Sequence, residues 1–293
     1  MTTPDWLDRT AWPFEPHAAP VTDGRLHFVD EGKGPAVVLV HGTPTWSFEW
    51  RHVIAQLRST HRVIAPDHLG FGLSERPATA NYSPEAHAAR FREFMQQVLP
   101  SGSVSLVVHD FGGPIALDWA LECALENPQR LRHLIVVNTW MWPFDDPKMQ
   151  HAAKLASGAL GRFLYRHLNA SQKLLMPSVY GDRKKLTPAI HAQYLSVFPD
   201  ADSREQVLFA LAKALLGSRP FYESLWQRRA ALCDVPMTVM WGLKDSAFPP
   251  TMLQRWKGAF PQSKVVEFAG AGHWPHEEEV EAFNAALHTA LNP

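Results

Sequence analysis

Three residues in this chain have both the chemistry and the setting to act together: Asp110, Asp245 and His273. Asp110 ends the run Val104–His109 and is followed by Phe111, Gly112 and Gly113, then by an apolar, helix-like stretch from Ile115 to Leu125. A strand that turns at once into a helix needs small residues beside the turning position, and it lifts one side chain above the sheet edge. Here that side chain is a carboxylate, which can attack carbon directly and leave an ester behind. Taken alone, Asp110 is equally a cap for the free N–H groups of the next helix. Asp245 stands just past Val239-Met240-Trp241, and His273 just past Ala269-Gly270-Ala271-Gly272. Singly they read as a turn residue and a loop imidazole. In an open α/β sheet, however, groups just beyond the carboxyl ends of strands share one crevice. Together they offer a nucleophile, a base, and a carboxylate that orients the base.

The elements that would hold these residues alternate between strand and helix. Leu26 to Asp30 reads as a strand, Gly32 to Pro35 as a turn, and Val37 to Val40 as a strand covered on both faces. Phe48 to Leu57 reads as a helix and Arg62 to Pro66 as a second buried strand. Ser83-Pro84-Glu85 opens a helix with a cap and a first-position proline. After the Asp110 elbow comes a strand from Leu131 to Val137. Past Asn138 the pattern changes to helical stretches (Met149 to Leu160, Ala189 to Val197, Ser203 to Leu216). Strands return at Pro236 to Trp241 and Lys264 to Phe268, with a closing helix from Glu277 to Leu291. Such alternation with long crossovers requires a mostly parallel sheet flanked by helices. Residues 1–139 and 217–293 form the expected core, and 140–216 an inserted helical cap over the strand ends.

Composition narrows the partners. Hydrophobic residues at 46% and charged residues at 19% describe an ordinary globular chain. The 28 Lys and Arg against 29 Asp and Glu leave no basic excess to track a phosphate backbone, so nucleic acid is not an expected partner. Met1 to Pro13 lacks the apolar core of a secretion signal, and no eighteen apolar residues follow one another. The expectation is a cytoplasmic protein with no membrane partner. Cys123 and Cys233 show neither metal nor disulfide spacing and are expected to be buried thiols.

Five stretches carry a family resemblance over nearly the whole chain: His41-Gly42-Thr43-Pro44-Thr45-Trp46, Pro66-Asp67-His68-Leu69-Gly70-Phe71-Gly72-Leu73-Ser74, His109-Asp110-Phe111-Gly112-Gly113, Trp241-Gly242-Leu243-Lys244-Asp245 and Gly270-Ala271-Gly272-His273. In order and spacing they resemble the haloalkane dehalogenase group of α/β-hydrolases, in the branch near the β-lactone decarboxylases. The chain order nucleophile, acid, His is that of the α/β-hydrolases. The resemblance implies an α/β-hydrolase fold with a cap. It also implies a small apolar substrate, and an alcohol and a halide ion as products, with no metal or cofactor. Asp110 would form the ester, and His273, held by Asp245, would activate the water that hydrolyses it.

The physical reading of the first stretch is that the backbone N–H groups of Thr43 and Phe111 point at one oxyanion, worth roughly 3 to 4 kcal/mol per donor. Thr43-Pro44 is a candidate cis peptide, and Gly70 to Ser74 a structural turn. Dehalogenases of this kind carry Trp after the nucleophile and a polar amide or acid after His-Gly. This chain has Phe111 and Thr43 in those places. A phenyl ring has no N–H, so a donor to a leaving halide must come from elsewhere. Trp140 and Trp142 are the nominees, with Trp46 behind them. Epoxide hydrolysis and β-lactone decarboxylation are the alternatives. The former calls for paired cap tyrosines, and Tyr165, Tyr180 and Tyr194 show no evident pairing in sequence. A ligand-binding protein on an inactive hydrolase fold is the remaining reading.

Overall fold

A computed structural model describes residues 4–292. Its framework is an eight-stranded sheet: β1 His17–Val21, β2 Gly24–Glu31, β3 Ala36–Val40, β4 Arg62–Pro66, β5 Val104–Asp110, β6 Leu131–Thr139, β7 Met237–Gly242 and β8 Lys264–Phe268. The spatial order is β1-β2-β4-β3-β5-β6-β7-β8. β1 pairs antiparallel with β2, and β2 antiparallel with β4; every other neighbour pair is parallel. Every residue of β5 and all but the first of β3 are buried. Their continuous apolar runs follow from helices covering both faces. From β3 the chain crosses to β4 on one side, and β5 then lies on the other side of β3. This reversal opens a crevice at the carboxyl ends of β3 and β5. The crevice lies between His41-Gly42-Thr43 and Asp110.

The helices follow the sequence signals with differences that have local causes. Pro84–Val98 begins where expected, with the Ser83 side chain accepting the Ala86 N–H. The stretch expected as one helix from Met149 is two, Pro147–Ser157 and Ala159–Leu168, because the chain is extended at Gly158. Ser203 to Leu216 is interrupted by a wide turn over Arg204–Phe209 before Ala210–Gly217. The closing helix splits at Glu279 into Pro275–Glu278 and Val280–Leu291. Strand β1 carries only Ala, Pro and one Val as β signal and was not foreseen, nor were helices Arg219–Arg228 and Pro250–Ala259. The helices from Pro147–Ser157 to Ala210–Gly217 lie between β6 and β7 as an inserted helical block, whereas Arg219–Arg228 returns to the core, where Arg228 pairs with Asp118 of helix Gly112–Glu126. No helix among the described residues is long and apolar enough to cross a membrane.

One expectation is corrected. Cys123 is buried, but Cys233 is exposed, at the end of the 3-10 turn Arg229–Leu232 where the chain enters the sheet from the surface.

Candidate active site

The elbow is strained as its sequence demands. Asp110 sits at φ 49°, in the left-handed region that non-glycine residues seldom enter. Its neighbours must be glycine because backbone and side chain pass within contact distance. A Cβ on Gly42 would strike the Asp110 side chain, one on Gly112 the carbonyls of Val40 and His41, and one on Gly113 the Thr139 hydroxyl. That hydroxyl in turn donates to the Asp110 carbonyl, tying the end of β5 to the end of β6.

The three predicted residues meet. Nδ1 of His273 lies 2.7 Å from Oδ2 of Asp245, and its Nε2 lies 3.5 Å from Oδ2 of Asp110. Asp245 is held on all sides: its Oδ1 accepts the N–H groups of Ala247 and Phe248, and its Oδ2 also accepts from the Asn138 side-chain amide at 2.8 Å. Asn138 takes the Gly242 N–H on its own oxygen and adopts φ 32°. It was not recognised from sequence, although it occupies the end of β6, beside the β7 end that carries Asp245. The Thr43 N–H donates to Oδ1 of Asp110 at 2.7 Å, and the Thr43-Pro44 peptide that follows is cis. The Phe111 N–H also serves Asp110.

Buried groups fix the imidazole from behind. Nε2 of His109 donates to the His273 carbonyl at 2.9 Å, and its Nδ1 faces Oε1 of Glu49 at 3.1 Å. Among the described residues, only Glu49, His109 and His276 bring three metal-capable side chains together, and none of them lines the cavity above Asp110. The Thr45 hydroxyl occupies the other oxygen of Glu49. Glu49 carries no motif of its own, so sequence gave no handle on it.

Charge follows geometry. Burial alone would push His273 toward neutrality, but Asp245 and Asp110 outweigh it and carry its pKa up to about 10. Burial would likewise raise Asp110, yet His273 and the Phe111 N–H bring it below the ordinary carboxylate value. The arrangement is therefore a carboxylate–imidazolium pair with a second carboxylate behind it.

Above Asp110 lies a cavity of about 180 Å³, walled by Pro44, Leu175, Met176, Leu208, Leu215 and Phe248 among others. A surface cleft of about 300 Å³ near Trp6 and Arg76 contains none of these groups. At 180 Å³ the cavity falls below the roughly 300 Å³ at which drug-sized sites begin, so it suits a small apolar molecule. Its polar groups besides Asp110 and His273 are few: Thr43, Tyr165, Ser171 and Trp274. The Thr43 hydroxyl and the Trp274 Nε1 are buried without a partner. Burial raises the Tyr165 hydroxyl to about 12.

The nominated indoles part company. Trp140 packs edge-on against Phe111 at 4.8 Å with its Nε1 unpartnered, behind the Phe111 ring rather than in the cavity wall itself. Trp142 lies between Trp226 and Trp256 with Arg255 over its ring, and none of these lines the cavity. Trp46 packs with Trp12 and Phe48, equally apart from it. Trp274, unforeseen although adjacent to His273, has its ring 4.6 Å from the imidazole. Tyr180 and Tyr194 both donate to Glu277, which also binds Arg51, so only one of the three tyrosines, Tyr165, faces the cavity.

An elbow carboxylate at the switch point of a parallel sheet, with an imidazole and an acid from later strand ends, is the architecture of an α/β hydrolase. A family model described as the alpha/beta hydrolase fold matches residues 35–280. Haloalkane dehalogenase 2 of Mycobacterium tuberculosis is 35% identical over 96% of this chain and 96% of its own. A cis-3-alkyl-4-alkyloxetan-2-one decarboxylase of Shewanella oneidensis is 31% identical over 92% of this chain and 86% of its own. The structure of the haloalkane dehalogenase DatA from Agrobacterium tumefaciens matches with a TM-score of 0.82 at 23% identity, covering 95% of this chain and 96% of that one, a likeness of fold. The chain belongs to the haloalkane dehalogenase family of α/β hydrolases, in which the oxetanone decarboxylases are also relatives.

Proposed function

We propose that the protein hydrolyses small haloalkanes through a covalent ester on Asp110. The observation that carries this reading is the Asp110 carboxylate itself: one oxygen held by the Thr43 N–H, the other 3.5 Å from His273, both beneath an apolar cavity. Asp110 attacks the halogen-bearing carbon; the new C–O bond forms as the carbon–halogen bond breaks, and the halide leaves with the electron pair. Alkylation removes the charge on Asp110. One of the two carboxylates that held the His273 proton is then gone, so the imidazole loses that proton more readily and becomes a base. Neutral His273, oriented by Asp245, takes a proton from water, and the hydroxide attacks the ester carbonyl. The N–H groups of Thr43 and Phe111 receive the developing oxyanion. Its collapse releases the alcohol and restores the carboxylate, with a halide ion and a proton as the other products. Residues 140–216 act as the cap that roofs this chemistry.

A single turnover in ¹⁸O-water tests the route: one labelled oxygen should appear in the Asp110 carboxylate, read by peptide mass. Asp110→Asn should lose turnover altogether, because an amide is a poor nucleophile. Turnover that persists in that variant, with deamidation excluded by mass, would remove Asp110 from the role.

A second reading rests on Phe111 and Thr43, where an indole and a stronger polar partner for halide are missing. The same carboxylate could open an oxetan-2-one at its alkyl carbon, leaving a β-carboxylate. Loss of CO2 then pushes electrons into a C=C bond and expels Asp110. No water enters that sequence. His273→Phe would therefore stall haloalkane turnover at the ester while sparing decarboxylation.

A further inference from the structure

Seven large hydrophobic side chains are strongly exposed among the described residues, and six of them fall in one part of the cap: Leu155, Leu160, Phe163, Leu168, Leu174 and Leu175. Leu160 is 63% exposed and Phe163 54%, on helix Ala159–Leu168. A soluble surface does not spend this much apolar area in one place without a use. The segment's own charge is basic, between Asp145-Asp146 on one side and Asp182 on the other. From Pro147 to Gly181 the chain has five Lys and Arg and no Asp or Glu. Arg162 and Arg166 are engaged by Glu205, and Arg166 also by Asp202, but Lys148, Lys154 and Lys173 are exposed and form no ion pair among the described residues. Leu175 belongs both to this surface, at 49% exposure, and to the wall of the cavity over Asp110.

We infer that this face of the cap docks on an anionic lipid surface. Apolar side chains flanked by lysines are the pattern of segments that lie in the headgroup region, where acyl chains take the former and anionic headgroups the latter. Leu175 favours lipid over an acidic protein: it is exposed on this surface and lines the cavity, so the patch adjoins the cavity wall and an apolar substrate held in acyl chains would be delivered beside Asp110's cavity. The expectation of no membrane partner rested on spanning segments, and a surface-lying face is independent of it.

Co-sedimentation with sucrose-loaded vesicles tests the inference. The wild-type protein should partition at least tenfold more onto phosphatidylglycerol than onto phosphatidylcholine vesicles, and lose most of that excess in 0.5 M salt. Leu160→Ser/Phe163→Ser and Lys154→Glu/Lys173→Glu should each lower partitioning at least tenfold. Leu125→Ser, at the exposed apolar residue outside the patch, should leave it unchanged. Thermal midpoints near the wild-type value show that the variants are folded; should a Ser pair unfold the cap, Leu160→Gln alone takes its place. Equal binding to both lipids, or binding unaffected by the patch variants, would overturn the proposal. So would a dimer in light scattering that the Ser pair dissolves, which would assign the face to self-association.

Discussion

At the scale of single residues, the site is a contest between burial and charge that His273 decides. Its imidazole keeps a proton up to about 10 in the folded chain, against an ordinary value of 6.5. The resulting stabilisation is fully present below about pH 6.5 and is lost as pH rises through about 10, because the folded state binds the proton more tightly than the unfolded one. His273→Phe lacks the group, so urea midpoints should fall from pH 6.5 to 10 more steeply in the wild-type protein than in that variant. The same variant should accumulate the alkyl ester with a bromoalkane, seen as added mass on the intact protein; normal steady-state turnover would deny His273 the water step. The leaving group poses a separate question, since the Phe111 ring donates nothing. Each donor to a departing halide is worth roughly 1.5 to 3 kcal/mol, so Phe111→Trp should raise bromoalkane turnover about ten- to a hundredfold if the ring fits. Trp140→Phe should lower it by a similar factor if its free N–H reaches the leaving group, and Trp142→Phe should not change it. No response to any of the three would favour the oxetanone reading.

At the scale of elements, the turn Gly270–His273 shows how helices outside the sheet place a residue at its edge. The Gly270 N–H donates to Glu279 and the Gly272 N–H to Glu278, while the His273 N–H donates to the Val179 carbonyl of the cap at 2.9 Å. A Cβ on Gly272 would run into backbone atoms of Val179 and Gly181, which cannot swing aside as a side chain can. Gly272→Ala should therefore cost roughly 1 to 3 kcal/mol in urea unfolding and lower kcat with it, since the displaced turn carries His273. Gly217, ending helix Ala210–Gly217, has nothing near its added Cβ, and Gly217→Ala should leave stability unchanged or raise it by about 0.5 kcal/mol. Equal losses in both variants would mean that the turn is not braced against the cap. The buried Arg51–Glu277 pair with Tyr180 and Tyr194 is a second brace between cap and core. Breaking one partner of such a network leaves a buried charge exposed to the full cost of desolvation.

At the scale of the whole molecule, the two thiols report on the fold separately. Cys233 is on the surface, whereas Cys123 is buried in helix Gly112–Glu126 beside Trp119 and Arg130, and burial pushes its thiol up to about 12. A thiol reagent at pH 8 should modify Cys233 within minutes and Cys123 only as the molecule opens, at a rate that rises with urea. Mapping the two adducts by mass checks this, and fast labelling of Cys123 in native buffer would contradict its packing. The small cavity is also a property of the assembled molecule, made by the segments that follow β3, β5, β7 and β8 below and by Tyr165, Leu175, Leu208 and Leu215 above.

Much of this was legible in residue order. Unbroken apolar runs announced β3, β4 and β5, and the Asp110 elbow showed itself because only glycines tolerate backbone passing so close. Asp245 and His273 were legible because each directly follows a strand, and parallel strands deliver their carboxyl ends to one edge. Other features depended on packing between segments far apart in sequence, where local pattern carries no signal. Glu49 meets His109 across 60 residues and Asn138 meets Asp245 across 107, so neither partner marks the other. The same holds for indoles: Trp140 and Trp142 differ by two positions, yet one packs on Phe111 and the other is enclosed by Trp226 and Trp256. Local sequence determined which side chains could do chemistry and at which strand ends they would stand. Tertiary packing alone decided which groups brace them, which hydrogen-bond donors remain free, and how His273 comes to hold its proton, because burial and charge are set by neighbours that only folding brings together.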